Sequence, residues 1–419
     1  MNKSQKIDKQ TFKDIFRDHF GDFVMRYPRY QAEHIRDVVE RMLGCAEEES
    51  GYATYKCMDC QEERVVPFSC KSSFCLSCAR IRLENWLQQM EWTLFEEVDY
   101  RHVVLTMPEV LRVYFYREPE KLKRFIQVGL EMLKELIREV SKKDIECGYI
   151  VVLQTAGRSG KYNPHLHIMM TAGGLDDKDE WHDINYIPFN LLHKKWQYHL
   201  FEMMKEEFGE EIKPLIDRLY RKYPRGIVAH IKMEKVPKKE QLARYLMKYV
   251  GSPPIALSRI IDYDGKRVKY WYKDHRTGKR EFANVDVLTF IGRMVQHILP
   301  KGFQTVRYYG LQATCKVKKV KDKLREIFKG VGRIVAGVFK KKTYRERIRE
   351  MTGKDPFICL HCGSEMVLWE IWIPGYGIVY SEMEELKNGK YGVIEEEKTG
   401  DTERRTVWGT DGVLQLSLF

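Results

Sequence analysis

The chain has 419 residues, 43% hydrophobic and 32% charged, enough for two or three globular domains and a sizeable core. No run approaches the roughly 18 apolar residues of a membrane span, and nothing apolar follows Met1-Asn2-Lys3-Ser4-Gln5-Lys6, so a cytosolic chain without a secretory signal is expected. The 72 basic and 60 acidic residues leave a net charge of +12, which favours a polyanionic partner although solubility alone would explain it.

Residues 8–43 alternate apolar and charged groups at helical spacing and predict one or two short helices. A cysteine-rich stretch follows. Cys57-x2-Cys60 and Cys75-x2-Cys78 are two knuckles with fourteen residues between them, the spacing of one tetrahedral zinc site in a cytosolic chain. Cys45 and Cys70 lie close enough to substitute as ligands or to serve a second ion; small buried thiols are the alternative reading. Residues 81–97 predict a helix carrying Trp86, Met90 and Trp92 away from this module.

Then the period changes. His102-Val103-Val104-Leu105-Thr106 reads as a strand ended by Met107-Pro108. Residues 119–140 predict a long helix with Leu122, Phe125, Ile126, Leu130, Leu133 and Ile137 on its buried side. Strands are expected at Tyr149–Gln154 and His165–Thr171. The turn Gly157-Arg158-Ser159-Gly160-Lys161 between them implies an antiparallel hairpin. A helix over 189–208, a strand over 226–234, a helix from Lys238 stopped at Gly251-Ser252-Pro253-Pro254, and a strand over 268–273 complete an α+β core around one mostly antiparallel sheet. Beyond it lie a basic run at 316–349 and a third knuckle, Cys359-Leu360-His361-Cys362-Gly363, whose remaining ligands are not readable. Residues 381–403 are acidic.

Two constellations carry chemistry. On a strand, His165 and His167 point to the same face and can reach one metal ion while Leu166 packs behind. Across the hairpin, Gln154 is either a third ligand through its amide oxygen or a hydrogen-bonding group that orients a histidine. Two imidazoles and an amide oxygen suit Mn²⁺ or Mg²⁺ in use. Tyr245 and Tyr249, four apart on a helix, share a face, though their stripe with Leu242, Leu246 and Val250 is also a packing pattern. Together the pairs suggest cleavage of single-stranded DNA through a phosphotyrosine link.

The ordered motifs resemble the transposases of IS91-type insertion sequences, members of the HUH endonuclease superfamily. The resemblance spans about residues 45–370. It rests on Ser73-Phe74-Cys75-Leu76-Ser77-Cys78, His102 to Pro108, Asn163-Pro164-His165-Leu166-His167, Gly173-Gly174-Leu175 and Arg244-Tyr245-Leu246-Met247-Lys248-Tyr249. It continues through Tyr272-Lys273-Asp274, Leu299-Pro300-Lys301-Gly302-Phe303, Arg307-Tyr308-Tyr309-Gly310-Leu311 and the Cys359 knuckle. The resemblance implies rolling-circle-like transposition, with Tyr245 and Tyr249 as nucleophiles, 5′-phosphotyrosine intermediates, and His165 and His167 as metal ligands. Where relatives usually have His-Thr-Trp-Gly this chain has Gln154-Thr155-Ala156-Gly157, and Asn163 stands where they usually have His.

The implied organisation is N-terminal helices at 1–44, a zinc-binding, DNA-binding module with its linking helix at 45–97, and an HUH nuclease domain at 98–300. A basic region with the cysteine knuckle at 301–375 and an acidic tail at 376–419 follow. Lys71, Arg80 and Arg82 beside the zinc module, and Arg244 and Lys248 beside the tyrosines, are candidate DNA contacts. Trp271, Tyr270 and Tyr272 are base-stacking candidates or core. The final Gln415, Leu416, Ser417, Leu418 and Phe419 resemble the peptide by which bacterial proteins dock on the replication sliding clamp; a strand or plug on the body is the other reading. A cytoplasmic, nucleoid-associated bacterial protein is expected. The competing readings are a plasmid replication initiator or relaxase of the same chemistry, and a non-catalytic zinc DNA-binding protein.

Overall fold

Among the described residues, strand pairing makes three sheets rather than the single sheet expected from sequence. The computed structural model describes residues 7–232, 253–274, 277–328, 343, 345–346, 349 and 355–387. The elements in order are α1 (Lys9–Arg26), α2 (Glu33–Leu43), β1 (Tyr52–Cys57), β2 (Glu63–Pro67), α3 (Cys78–Thr93), β3 (Tyr100–Leu105), α4 (Arg112–Arg117) and α5 (Leu122–Ser141). Then come β4 (Glu146–Ala156), β5 (Tyr162–Leu175), β6 (Trp181–Asp183), α6 (Phe189–Phe208), α7 (Lys213–Lys222), β7 (Ala229–Ile231), β8 (Ile260–Tyr263), β9 (Arg267–Lys273) and β10 (Arg280–Asp286). The last are α8 (Val287–Val295), β11 (Val306–Gly310), α9 (Val317–Ile327), β12 (Met366–Ile373), β13 (Gly377–Ser381) and α10 (Glu382–Lys387). The result is α+β, with antiparallel pairings throughout.

The central sheet has the order β11-β4-β5-β3-β7, with β6 added to β5. Its two faces differ because side chains alternate along each strand. Val103, Leu105, Val151, Leu153, Leu166, Ile168 and Met170 point back and pack on α5 and α6. α5 approaches so closely at Gly129 that a Cβ there would lie 2.7 Å from Leu166 Cδ1, so glycine's helix-propensity cost of about 1 kcal/mol is offset by contact with the sheet. On the front face, Met90 and Leu94 and the nearby Phe95 cover Tyr100, Ile150 and Met169, joined by Leu324 of α9. The histidines lie on the same face beyond that cluster, with His102 and His167 buried and His165 half-buried. Gly310 ends β11 at φ +59°, and a Cβ there would sit 2.0 Å from the Cys147 carbonyl oxygen, which accounts for glycine in the Tyr309-Gly310-Leu311 motif.

A second core joins α1, α2, α8 and the β10-β9-β8 sheet around Phe12, Phe16, Phe290 and Cys45, Cys75 and Cys78. Asp8 caps α1 by accepting from Thr11 N at 2.9 Å, and Asp286 caps α8 by accepting from Leu288 N at 2.9 Å. Tyr270 is buried in this core, so it is packing rather than an open stacking platform. The Trp271 ring has the guanidinium groups of Arg280 and Arg259 at 4.4 and 5.7 Å from its centroid. The third sheet, β13-β12-β1-β2, pairs the N-terminal cysteine region with the C-terminal knuckle region.

Part of the basic run is tied to the protein itself. Lys323 pairs with Asp179, Lys316 with Glu146 at 3.1 Å, and Arg345 with Asp355 at 2.8 Å. No helix among the described residues is long and apolar enough to cross a membrane.

Candidate active site and metal centres

The hairpin expected from the Gly157–Lys161 turn places Gln154 opposite His165 and Val152 opposite His167. A register shift between Gln154 and Ala156 accommodates an extra residue beside Pro164, a position where proline's missing N–H costs no ladder bond. Gln154 Oε1 lies 3.2 Å from His167 Nε2. The His165 and His167 rings meet edge to face with centroids 4.8 Å apart. His165 Nδ1 donates to the Asn163 carbonyl oxygen at 2.6 Å, leaving Nε2 as its lone-pair nitrogen.

A third imidazole joins the pair. His102, buried on β3, places Nε2 3.0 Å from His167 Nδ1. Their rings are 10° from parallel with centroids 5.2 Å apart, and with nitrogens this close the contact is an edge-to-edge hydrogen bond. A single histidine in an apolar strand carries no spacing signal; only the β3–β5 register brings it here. Burial holds all three rings below the ordinary imidazole value, His102 at about 3 and His167 at about 2. They are therefore neutral at physiological pH, the form that ligates metals. Asn163 Oδ1 is buried without a hydrogen-bond partner two residues from His165, adding an orphaned oxygen. The donor set of imidazole nitrogens and amide oxygens fits a divalent cation.

Gln154 also lines a cleft of about 1530 Å³ between the cysteine module and the sheet, together with Lys71, Arg82, Trp86, Arg307 and Tyr308. Lys71 and Arg82 are both exposed. Arg80 falls in α3, but its side chain lies outside the described residues, as do Arg244, Tyr245, Lys248, Tyr249 and the peptide Gln415 to Phe419.

At the floor of the cleft, His297 approaches Thr155 Oγ1 and the Gly160 carbonyl oxygen, each at 3.1 Å. Burial lowers it to about 4. The unfolded chain therefore binds a proton between about pH 6.5 and 4 that the folded protein does not, so this contribution to stability is intact above 6.5 and falls as pH drops. His297→Gln is expected to flatten the acid-side slope of the urea midpoint by up to one proton; unchanged slopes would contradict this.

The cysteines do not group as their spacing suggested. Cys57 and Cys60 do not share a site with Cys75 and Cys78. Instead Cys45, Cys70, Cys75 and Cys78 form one cluster, and Cys57, Cys60, Cys359 and Cys362 form another, each with all four sulfurs within 4.8 Å of one another. In the first, Cys45 Sγ and Cys78 Sγ are 3.4 Å apart and Cys70 Sγ and Cys78 Sγ 3.6 Å. Mutual hydrogen bonds within the cluster lower the Cys75 and Cys78 thiols and raise those of Cys45 and Cys70, so the four sulfurs titrate as one set. Cys45 and Cys70 are thus integral to this cluster and not substitutes for Cys57 and Cys60, and the four-cysteine set supports structural zinc.

Comparison with known proteins finds similarity to transposases. Residues 15–107 match the family model described as "Transposase zinc-binding domain", and residues 148–320 match that described as "Putative transposase". The chain is 25% identical over 345 residues to the "Transposase for insertion sequence element IS801" of Pseudomonas savastanoi pv. phaseolicola, covering 79% of this chain and 82% of that protein. It is 26% identical over 384 residues to "Putative transposase y4qJ" of Sinorhizobium fredii (strain NBRC 101917 / NGR234), covering 86% and 94%. No solved structure matches significantly. The first matched region holds the complete Cys45–Cys78 cluster and His102, and the second holds Gln154, His165 and His167; the chain is similar to IS91-type transposases, and its N-terminal region to their zinc-binding domain.

Proposed function

We propose that this transposase nicks and rejoins single-stranded DNA through tyrosine-linked intermediates, as an HUH-type enzyme in rolling-circle-like transposition. The observation that carries the reading is the convergence of His165, His167 and Gln154 on the front face of the central sheet. The tyrosine-bearing segment is flanked in a way that suits it. It follows β7, which borders the sheet beside β3, and it precedes Pro254, which lines the cleft with Gln154.

A phenol is a weak nucleophile at neutral pH, with an ordinary pKa of about 10. In the reaction, Tyr245 or Tyr249 gives up its proton, its oxygen bonds to phosphorus, and the P–O3′ bond breaks to release a 3′-OH. Attack by a 3′-OH on the phosphotyrosine restores the phenol and joins strands. One phosphodiester replaces another, so no external energy source is needed, and two tyrosines let two strands be held during exchange. A divalent ion, Mn²⁺ or Mg²⁺, supplies charge stabilisation at a non-bridging oxygen. His165 Nε2, His167 Nε2 and Gln154 Oε1 would hold it.

That ligand set dictates a tautomer. With Nε2 of His167 as the ligating atom, Nδ1 carries the proton and donates to His102 Nε2, so His102 is a positioning residue. His102→Leu is expected to weaken Mn²⁺ binding about 10–100-fold, while His102→Gln, which retains an acceptor, recovers most of it. Calorimetry measures the affinity; equal affinity in a folded His102→Leu variant would remove this role.

Lys71, Arg80, Arg82, Arg244 and Lys248 serve as phosphate contacts in this reading, and Gln415 to Phe419 dock on a sliding clamp. Clamp binding that survives deletion of residues 415–419 would refute the docking peptide. The reading as a whole is tested by incubating the protein with labelled single-stranded element ends. Cleavage should require Mn²⁺ or Mg²⁺ and stop with chelator; efficient cleavage of plasmid-origin strands in preference to element ends would instead favour a replication initiator.

A further inference from the structure

We infer that Cys57, Cys60, Cys359 and Cys362 form a second structural zinc site, a ribbon assembled from two halves of the chain. The two knuckles are built alike. Gln61 N donates to the Cys57 carbonyl oxygen at 3.0 Å, and Gly363 N donates to that of Cys359 at 3.0 Å. Cys57 N donates to the Glu62 carbonyl oxygen at 2.8 Å, and Cys359 N to that of Ser364 at 2.8 Å. The residue after the second cysteine is left-handed in both, φ 63° at Gln61 and 81° at Gly363. This shared turn aims two sulfurs of each knuckle at one point.

The knuckles face each other across the β1–β12 pairing, where Cys57 is opposite Met366. Cys57 Sγ is 3.4 Å from Cys362 Sγ, and Cys60 Sγ is 3.5 Å from Cys359 Sγ. A tetrahedral ion with Zn–S bonds of ~2.3 Å needs sulfurs roughly 3.8 Å apart, so a shift of a few tenths of an ångström admits it. Disulfides, at about 2.05 Å, are not formed, and all four cysteines are free.

Among the described residues the surrounding sheet has little apolar support. Its hydrophobic cluster has three buried members, Cys57, Cys359 and Met366, two of which are ligands. Ile378 and Val379 on β13 are exposed. So small a core does not hold four strands without a staple. Arg64 adds a clasp, donating to the Pro356 carbonyl oxygen at 2.8 Å. Two of the four ligands thus lie beyond residue 107, where the matched zinc-binding domain ends, and the C-terminal hairpin becomes part of the zinc module.

Metal analysis and native mass spectrometry of the reduced full-length protein test this. Two zinc ions per chain are expected, falling to one in Cys359→Ser/Cys362→Ser and to one in Cys45→Ser/Cys70→Ser. If a variant does not fold, Co²⁺ loading of the wild-type protein gives the count, with absorption of two tetrahedral four-thiolate sites expected. Limited proteolysis of the Cys359→Ser/Cys362→Ser protein should cut within 355–381 at least tenfold faster than wild type. One zinc in the wild-type protein, two retained in Cys359→Ser/Cys362→Ser, or disulfide-linked 57–362 peptides from reduced protein would overturn the assignment.

Discussion

Alanine at both His165 and His167 is expected to reduce strand cleavage by at least about 10³-fold, the several kcal/mol that charge stabilisation by a metal supplies. The fold should survive. Both imidazoles face the front of the sheet, while the packing between α5 and the sheet rests on Leu166, which is fully buried against Gly129. The contrast is itself informative. Leu166→Ala removes a back-face core side chain and should cost about 2–5 kcal/mol of stability, with the metal donors left in place. Cleavage rates with Mn²⁺ and thermal melts of both variants separate the effects. Undiminished cleavage in the double histidine variant, or cleavage in the presence of chelator, would remove these residues from the mechanism.

Cys45→Ser/Cys78→Ser should have the largest effect on stability. Zinc binding to a four-cysteine site is worth on the order of 10 kcal/mol, and that free energy is folding free energy where the core is built on the site. Here it is: Cys45, Cys75 and Cys78 are buried with Phe12, Phe16, Phe74 and Phe290, and the Phe16 and Phe74 rings meet edge to face at 5.5 Å. Loss of the ion should expose amides of α1, α2 and α8 to hydrogen exchange while those of β4 and β5 stay protected. Unchanged exchange at α1 and α8 would show that the aromatic core holds without metal.

Much of the central domain was legible because its signals are local. α6 runs Phe189–Phe208 as read, with Gly209 ending it, and α5 buries each of the six residues its period marked. The β4–β5 hairpin followed from a short glycine-containing turn, and with it the pairing of Gln154 with His165. The cysteines were misgrouped for the opposite reason. Nearness in sequence joined Cys57 and Cys60 to Cys75 and Cys78, but strand pairing between β1 and β12 decides their true partners some 300 residues away. His102 was hidden likewise, since its role comes from a register between strands. The strand expected at 226–234 is only Ala229–Ile231, a short edge next to β3. The helix expected at 238–251 lies outside the described residues.

A covalent tyrosine–DNA bond made at the histidine site is what the proposed reaction requires. The direct measurement is mass spectrometry of the peptide left on DNA after the protein, Mn²⁺ and a single-stranded element end are mixed and digested. A nucleotide adduct is expected on Tyr245 or Tyr249, absent with chelator and absent from Tyr245→Phe/Tyr249→Phe. An adduct that persists in that double variant, or cleaved strands bearing no protein at all, would contradict it.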